Sequence, residues 1–296
     1  MKPIFAKLLE QIAPTDIEHE VFLKHRRTLQ KIAIGCGAKS IIPIGSRRRH
    51  TGLKDISDYD LLVLFPRKLL IRSGRLVSST AALARVRKAV SLRYPRTSVR
   101  TDKQAVVVGF QTTGASIDLV PAYFAEPGTD FEKPARNYPV YGISNGRGGW
   151  NLSSPHGYDA LLTEADSKSG HKLRKVSQLL KFWTNCYSPS LPLSSFACEM
   201  LLVQSGICCP GRSYEHCLWE AFKLLALRDT YRLSDPLYLS KGILLTQTSR
   251  QATLLRRRAR QARIDARLAV RGKGSPEALQ AWSRVFNRKV GTDVHG

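Results

Sequence analysis

The sequence predicts an α+β fold, an α/β lobe with a mixed sheet packed against an α-helical lobe. Two observations carry this. Short apolar, β-rich runs alternate with helical repeats through residue 122, whereas the later part of the chain shows only 3.6-residue apolar repeats. Between them, residues 126–154 are rich in Pro, Gly and Asn and lack periodicity. The expected division is a first lobe over residues 1–150, including an N-terminal helix, and a helical lobe over residues 151–296.

Each element has its own signal. Ile4, Leu8 and Ile12 recur at helical spacing. Residues 16–33 carry Ile17, Val21, Leu29 and Ile32 among Lys and Arg, a helix with one buried stripe and Asp16 as its N-cap. Ile41-Ile42-Pro43-Ile44 reads as a strand ending in a Gly45-Ser46 turn. The next strand starts at Ser57-Asp58-Tyr59-Asp60 and continues through Leu61 to Phe65. Residues 78–93 form a helix that Pro95 ends. Residues 104–110 and 115–122 are β-rich, and Gln111-Thr112-Thr113-Gly114 joins them as a hairpin. Residues 126–154 read as a connection or lid. Helices follow over residues 173–183, 195–203, 215–227 and 254–268. No internal repeat or low-complexity tract appears.

Hydrophobic residues make up 43% and charged residues 24% of the 296, ordinary values for a globular protein. The charge balance is not ordinary: 47 Lys and Arg stand against 23 Asp and Glu, for a net +24. A polyanion is the natural partner, and the excess is larger than one binding site explains. No signal peptide and no run of about 20 apolar residues is evident, so a soluble cytoplasmic protein without a membrane partner is expected. The six cysteines fit no disulfide framework, in keeping with a reducing compartment. Cys208, Cys209, His216 and Cys217 match no standard zinc spacing and read as buried thiols beside a chance histidine.

The chemistry is concentrated in three aspartates. Alternate side chains of a strand share a face, so Asp58 and Asp60 point one way and Tyr59 the other. The run Ser116-Ile117-Asp118-Leu119-Val120-Pro121 supplies a third carboxylate from a strand that the hairpin brings alongside. Three adjacent carboxylates raise one another's pKa unless a cation sits between them. Two Mg²⁺ ions, with Mn²⁺ as an alternative, suit that cluster and an in-line attack on a nucleotide phosphate. Ser46 would donate to triphosphate oxygens from a turn in which Gly45 allows close approach.

The pattern Gly45-Ser46-x-x-Arg49-x-Thr51, Ser57-Asp58-x-Asp60 and Ile117-Asp118-Leu119-Val120-Pro121-Ala122 resembles the polymerase-β-like nucleotidyltransferases. Within them it is most similar to the bacterial cGAS/DncV-like nucleotidyltransferases, or CD-NTases. Trp150 to Pro155, Leu179 to Trp183 and Pro276 to Phe286 resemble that family's linker, helical lobe and C-terminal helix. The resemblance implies a cleft between the lobes and synthesis of a cyclic di- or trinucleotide from NTPs, with loss of pyrophosphate. It also implies a role in anti-phage defence (CBASS) and a downstream effector that binds the product. Asp58, Asp60 and Asp118 would be catalytic and metal-holding. Resemblance to the animal enzyme implies that Lys181 and Ser195, with Ser194 the neighbouring alternative, grip the donor phosphates, and that Phe196 stacks on a base.

From residue 250 to 296 twelve Lys and Arg face three Asp and Glu. Arg256, Arg257, Arg258, Arg260, Arg263 and Arg267 would make a broad basic helical surface, either simply solvated or a sensor for an RNA or DNA activator. Two rival readings share these features. An RNA-tailing enzyme of the CCA- or poly(A)-adding type would use the same aspartates, and a catalytically silent nucleic-acid-binding protein would use the basic surface alone.

Overall fold

The computed structural model describes residues 4–55, 58–125 and 137–288. The helices α1 (Ile4–Ile12) and α2 (Asp16–Gly35) open the chain. Thr15, not Asp16, caps α2: its hydroxyl accepts from the Glu18 N–H, and the Glu18 carboxylate accepts from the Thr15 N–H. Asp16 lies just inside the helix, where a negative charge favours the dipole. The buried stripe of α2 runs through Phe22, Leu29 and Ala33, which leaves the expected core residue Ile17 75% exposed.

Strand β1 (Ser40–Ile44) leads into the one-turn helix α3 (Gly45–Arg48) and then β2 (Tyr59–Phe65). After α4 (Ser79–Arg93) come β3 (Ser98–Asp102), β4 (Ala105–Phe110) and β5 (Ala115–Ala125). The predicted hairpin is β4–β5. Residues 137–153, expected within a connection or lid, instead supply β6 (Val140–Ser144) and β7 (Trp150–Ser153). Val140, Tyr141 and Ser144 are all buried, so β6 lacks the apolar–polar alternation that marks a half-buried strand. The earlier part of that connection, residues 126–136, lies outside the described residues.

These strands form one seven-stranded sheet of central order β1-β2-β5-β4-β3, with β6 on β5 and β7 on β6. Among the described residues only β2 and β5 pair in parallel, so the sheet is mixed as predicted. On its second edge the long β5 pairs first with β4 and then with β6.

The second half is helical: α5 (Pro155–Lys168), α6 (Leu173–Asn185), α7 (Ser195–Ser205), α8 (Tyr214–Leu227), α9 (Ser249–Arg271) and α10 (Pro276–Val285). Helix α5 was not expected, although Ser154 caps it and Pro155 occupies its first turn, a standard start signal. The long α9 packs on α8 and α10 through Leu255 and a row of alanines (Ala252, Ala259, Ala262, Ala266). The ring of Phe5 on α1 meets Trp282 and Phe286 edge-on at 4.9 and 5.9 Å. One buried apolar core runs from the sheet's helix-covered face into these helices.

Candidate active site

Strand alternation builds the site. Tyr59, Leu61, Val63 and Phe65 turn toward the main core, and the Tyr59 ring stacks on Phe22 at 4.0 Å and 5°. Asp60 and Leu62 therefore occupy the opposite face, where Leu62, Val120, Ala122 and Tyr141 form a small apolar floor. In the parallel β2–β5 register Asp60 is the direct partner of Asp118, and across β1 it is the partner of Ile44. The next residue, Gly45, has φ +78° and lies against the Asp60 carboxylate; a Cβ there would stand 1.8 Å from Oδ2. Glycine is thus required twice over, for conformation and for space.

Burial and then the charge of Asp118 push the Asp60 carboxyl up to about 7, against a pull downward from Arg49. Burial, then Asp58 and Asp102, push Asp118 up to about 6. Oδ1 of Asp118 is buried with no hydrogen-bond donor among the described residues. Asp58 is exposed just ahead of β2, and Ser57 of the motif lies outside the described residues. The expected three-carboxylate cluster is thus a facing pair with Asp58 beside it. Among the described residues no three His, Cys, Asp or Glu side chains already converge as a metal-ligand set. In chemistry the donors fit a hard divalent cation: all are carboxylate oxygens, two are destabilised as anions, and one is unpartnered.

A cleft of about 620 Å³ opens at Asp60 and Asp58. Gly45, Ser46, Arg49, Asp58, Asp60 and Gln104 line one side, and Tyr158, Lys181, Thr184, Asn185, Ser195 and Phe196 the other. A second depression of similar volume on α4 is lined by Thr80, Arg87 and Leu92 among others and has no carboxylate in its wall. Of these two, the first is the chemically equipped one.

Seven of the sequence-named residues meet in this cleft: Gly45, Ser46, Asp58, Asp60, Lys181, Ser195 and Phe196. Asp118 joins them through the strand register. Ser194 caps α7 instead, its hydroxyl accepting from the Ala197 N–H at 3.4 Å. Phe196 is half-buried, edge-on to Tyr158 at 4.9 Å, with the Arg49 guanidinium 5.7 Å from its ring. Lys181 is only 3% exposed, so the simplest reading of a lysine on an apolar helix, that it reaches for solvent, does not hold.

The six arginines lie on α9, outside the cleft. Arg256, Arg260, Arg263 and Arg267 share one face by their spacing. Arg256 is partly engaged, donating to the Tyr231 hydroxyl and the Arg228 carbonyl, and Arg258 stacks over Tyr187 at 4.9 Å. Arg257, Arg260 and Arg267 are exposed. Elsewhere, Cys208 and Cys217 are buried thiols, with Cys217 donating to the Ile207 carbonyl at 3.7 Å. No helix among the described residues is long and apolar enough to cross a membrane.

Three residues at or behind the cleft wall had no role assigned from sequence: Arg49 lines the cleft, and Thr51 and Glu199 are buried behind it. The Glu199 carboxylate is fully buried and accepts from Arg49 Nε at 2.6 Å, Thr51 Oγ1 at 2.5 Å and Lys181 Nζ at 2.5 Å. Arg49 and Thr51 belonged to the quoted pattern. Glu199 had its own signal, a lone acid inside Phe196-Ala197-Cys198-Glu199-Met200-Leu201-Leu202.

Comparison with known proteins agrees with this architecture. A probable cyclic nucleotide synthase of Bacillus cereus is 22% identical over 191 residues, 56% of this chain and 55% of that relative, so the match spans about half the relative's length. The structure of E. coli CdnC in complex with HORMA-deltaN superposes with TM-score 0.72 at 18% identity, covering 98% of both chains. Apo DncV of Vibrio cholerae superposes with TM-score 0.74 at 12% identity, covering 98% of this chain and 95% of the other. Residues 4–159, more than half of the chain, match the family model described as a Second Messenger Oligonucleotide or Dinucleotide Synthetase domain. The chain belongs to that family, as the likeness of its sequence to the cGAS/DncV-like nucleotidyltransferases implied.

Proposed function

We propose that the protein is a nucleotidyltransferase that joins NTPs into a cyclic di- or trinucleotide, a second messenger read by a downstream effector. The observation that carries this is Asp60, registered beside Asp118, in the wall of a cleft that also holds the Gly45-Ser46 turn, Lys181 and Phe196. Family membership supports it, as do the relatives: DncV is a cyclic AMP-GMP synthase seen with the linear intermediate pppA(3′,5′)pG. The catalytic lobe would end near residue 150 and the helical lobe would close the cleft.

In this reading Ser46 donates to the triphosphate, which Gly45 lets come close, and Ser195 adds a hydroxyl, while Ser194 helps by capping α7. Lys181 supplies positive charge from the cleft wall, and Phe196 offers a face to the base. A ribose hydroxyl of the acceptor attacks the α-phosphorus of the donor; the bond to the β-phosphate breaks and pyrophosphate leaves. The hydroxyl proton is released to solvent as the acceptor oxygen bonds to phosphorus. Asp58, Asp60 and Asp118 would hold two Mg²⁺ ions, which when bound would neutralise the triphosphate and acidify the hydroxyl. Catalysis is then positioning and electrostatics.

An anti-phage role in the cytoplasm, with an RNA or DNA activator on the α9 arginines, would complete the reading. The excess of positive charge supports a polyanion partner. The E. coli relative's complex with HORMA-deltaN raises a protein regulator as the other source of control.

The test is incubation with Mg²⁺ and α-labelled NTPs, singly and mixed, with and without duplex RNA or DNA, then phosphatase and chromatography. Phosphatase-resistant product, lost in Asp58→Ala/Asp60→Ala, is expected. Extension of a supplied RNA without cyclic product would replace this reading with the tailing enzyme.

A further inference from the structure

Two cations reach the cleft wall, and they are not equivalent. Lys181 has three ammonium protons, and its Nζ lies within hydrogen-bond distance of three protein acceptors: the Thr51 carbonyl at 3.1 Å, the Thr51 hydroxyl at 3.0 Å and Glu199 at 2.5 Å. Arg49 has five N–H donors. Its Nε donates to Glu199 at 2.6 Å and Nη1 lies 3.5 Å from Asp159, while Nη2 makes no hydrogen bond to the described residues. Arg49 also sits on the same turn as Ser46: its N–H donates to the Gly45 carbonyl at 3.2 Å, and the Thr51 N–H closes the turn on the Ser46 carbonyl at 2.9 Å.

Resting on the reading of the cleft as a nucleotide site, we infer that Arg49 is the residue that directly grips the nucleotide's phosphates, and that Glu199 is the positioning residue that aims it. A planar guanidinium held at one edge presents its other edge in a fixed direction, which suits bidentate contact with phosphate oxygens. Lys181, its donors already engaged, keeps Glu199 charged. Burial drives that carboxyl up, but Lys181 and then Arg49 hold it below the usual range. Glu199 also receives the Thr51 hydroxyl, so one carboxylate on α7 fixes both the arginine and the turn that carries Ser46. The donor phosphates then lie between the Ser46 turn and Arg49, and the Phe196 ring beneath the guanidinium orients the base end of the same nucleotide.

The inference is tested on the full chain with Mg²⁺-loaded inorganic tripolyphosphate, a probe with no base or ribose, by titration calorimetry. Arg49→Gln is expected to weaken binding about ten-fold or more, the effect of removing charge-assisted hydrogen bonds. Glu199 keeps Lys181 and Thr51 in that variant, so thermal unfolding should change little. Lys181→Met is expected to weaken binding less than Arg49→Gln. Because Glu199 acts through Arg49, Glu199→Gln should weaken binding several-fold in the wild-type background but not further in Arg49→Gln, a coupling that a purely structural role would not give. Glu199→Asp serves the same cycle if Glu199→Gln does not fold. Wild-type affinity in Arg49→Gln, a larger loss in Lys181→Met, or additive effects of positions 49 and 199 would overturn the inference. Failure of the wild-type protein to bind tripolyphosphate would instead overturn the nucleotide reading of the cleft.

Discussion

Asp60→Asn should make the metal-free protein more stable and inactive at once. In the folded chain the Asp60 carboxyl is raised from 3.8 to about 7 by burial and by Asp118. Its native state therefore holds a proton that the unfolded chain has released. Stability falls as pH climbs from about 4 through 7, and the full penalty is present above 7. Three units correspond to about 4 kcal/mol; Asp60 and Asp118 titrate as neighbours and share the penalty, so about 2–4 kcal/mol is the expected range. Asparagine keeps the shape beside Gly45 and removes the charge. In EDTA at pH 8 its melting temperature should exceed wild type by roughly 4–8 °C, and at pH 4 the two should coincide. Thermal scans from pH 4 to 8.5 read this directly. A variant that melts at or below wild type at pH 8 would show that the carboxylate pair is not under electrostatic strain, and would remove the physical reason for a cation there.

Other consequences are equally direct. Added Mg²⁺ should raise the wild-type melting temperature more at pH 8 than at pH 6, because it must displace protons from Asp60 and Asp118 at the lower pH; equal shifts would count against these ligands. Gly45→Ala should lower turnover of labelled NTPs at least ten-fold while the protein still folds, since its Cβ would meet Asp60 Oδ2 at 1.8 Å and force either the turn or the carboxylate to move. Charge removal at Arg257, Arg260, Arg263 and Arg267 should flatten the salt dependence of duplex binding in a filter assay, lowering the log–log slope by about one for each phosphate no longer neutralised and leaving tripolyphosphate affinity unchanged. Thr15→Ala should cost about 1 kcal/mol in chemical denaturation through loss of the capping box on α2.

The strands of the candidate site were legible because their signals are local and redundant: an Asp-x-Asp at the head of an apolar strand, a glycine before it, and a hairpin that returns Asp118 to its side. The α9 repeat was legible over residues 254–268 for the same reason, its apolar residues recurring at helical spacing. β6 was not, because residues buried on both faces leave no alternation, and Gly142 sits directly under the Tyr123 ring; β7 was not, because its four residues bury nothing fully. The N-cap of α2 was misread by one residue, since Thr15 and Asp16 are both good caps and only the reciprocal bond to Glu18 separates them. Arg49, Thr51 and Glu199 meet only in three dimensions: the acid stands 148 residues from Thr51, a relation that no window of sequence contains.

The aromatic contact of Phe5 with Trp282 and Phe286 bears on how the chain acquires its shape. Helix α1 is the earliest element of the described chain to leave the ribosome, yet its packing partners are among the last. The nascent sheet can form its parallel pair once β5 has emerged, but the helical half stays unsealed until α10 is made. Pairings of such long sequence separation slow folding and lengthen the time for which apolar surface is uncovered. An assembled chain gains the complementary benefit. The first and last of its described helices clasp each other, so fraying at either one must break the same aromatic cluster, and a protease that nicks near α1 should loosen α10 with it.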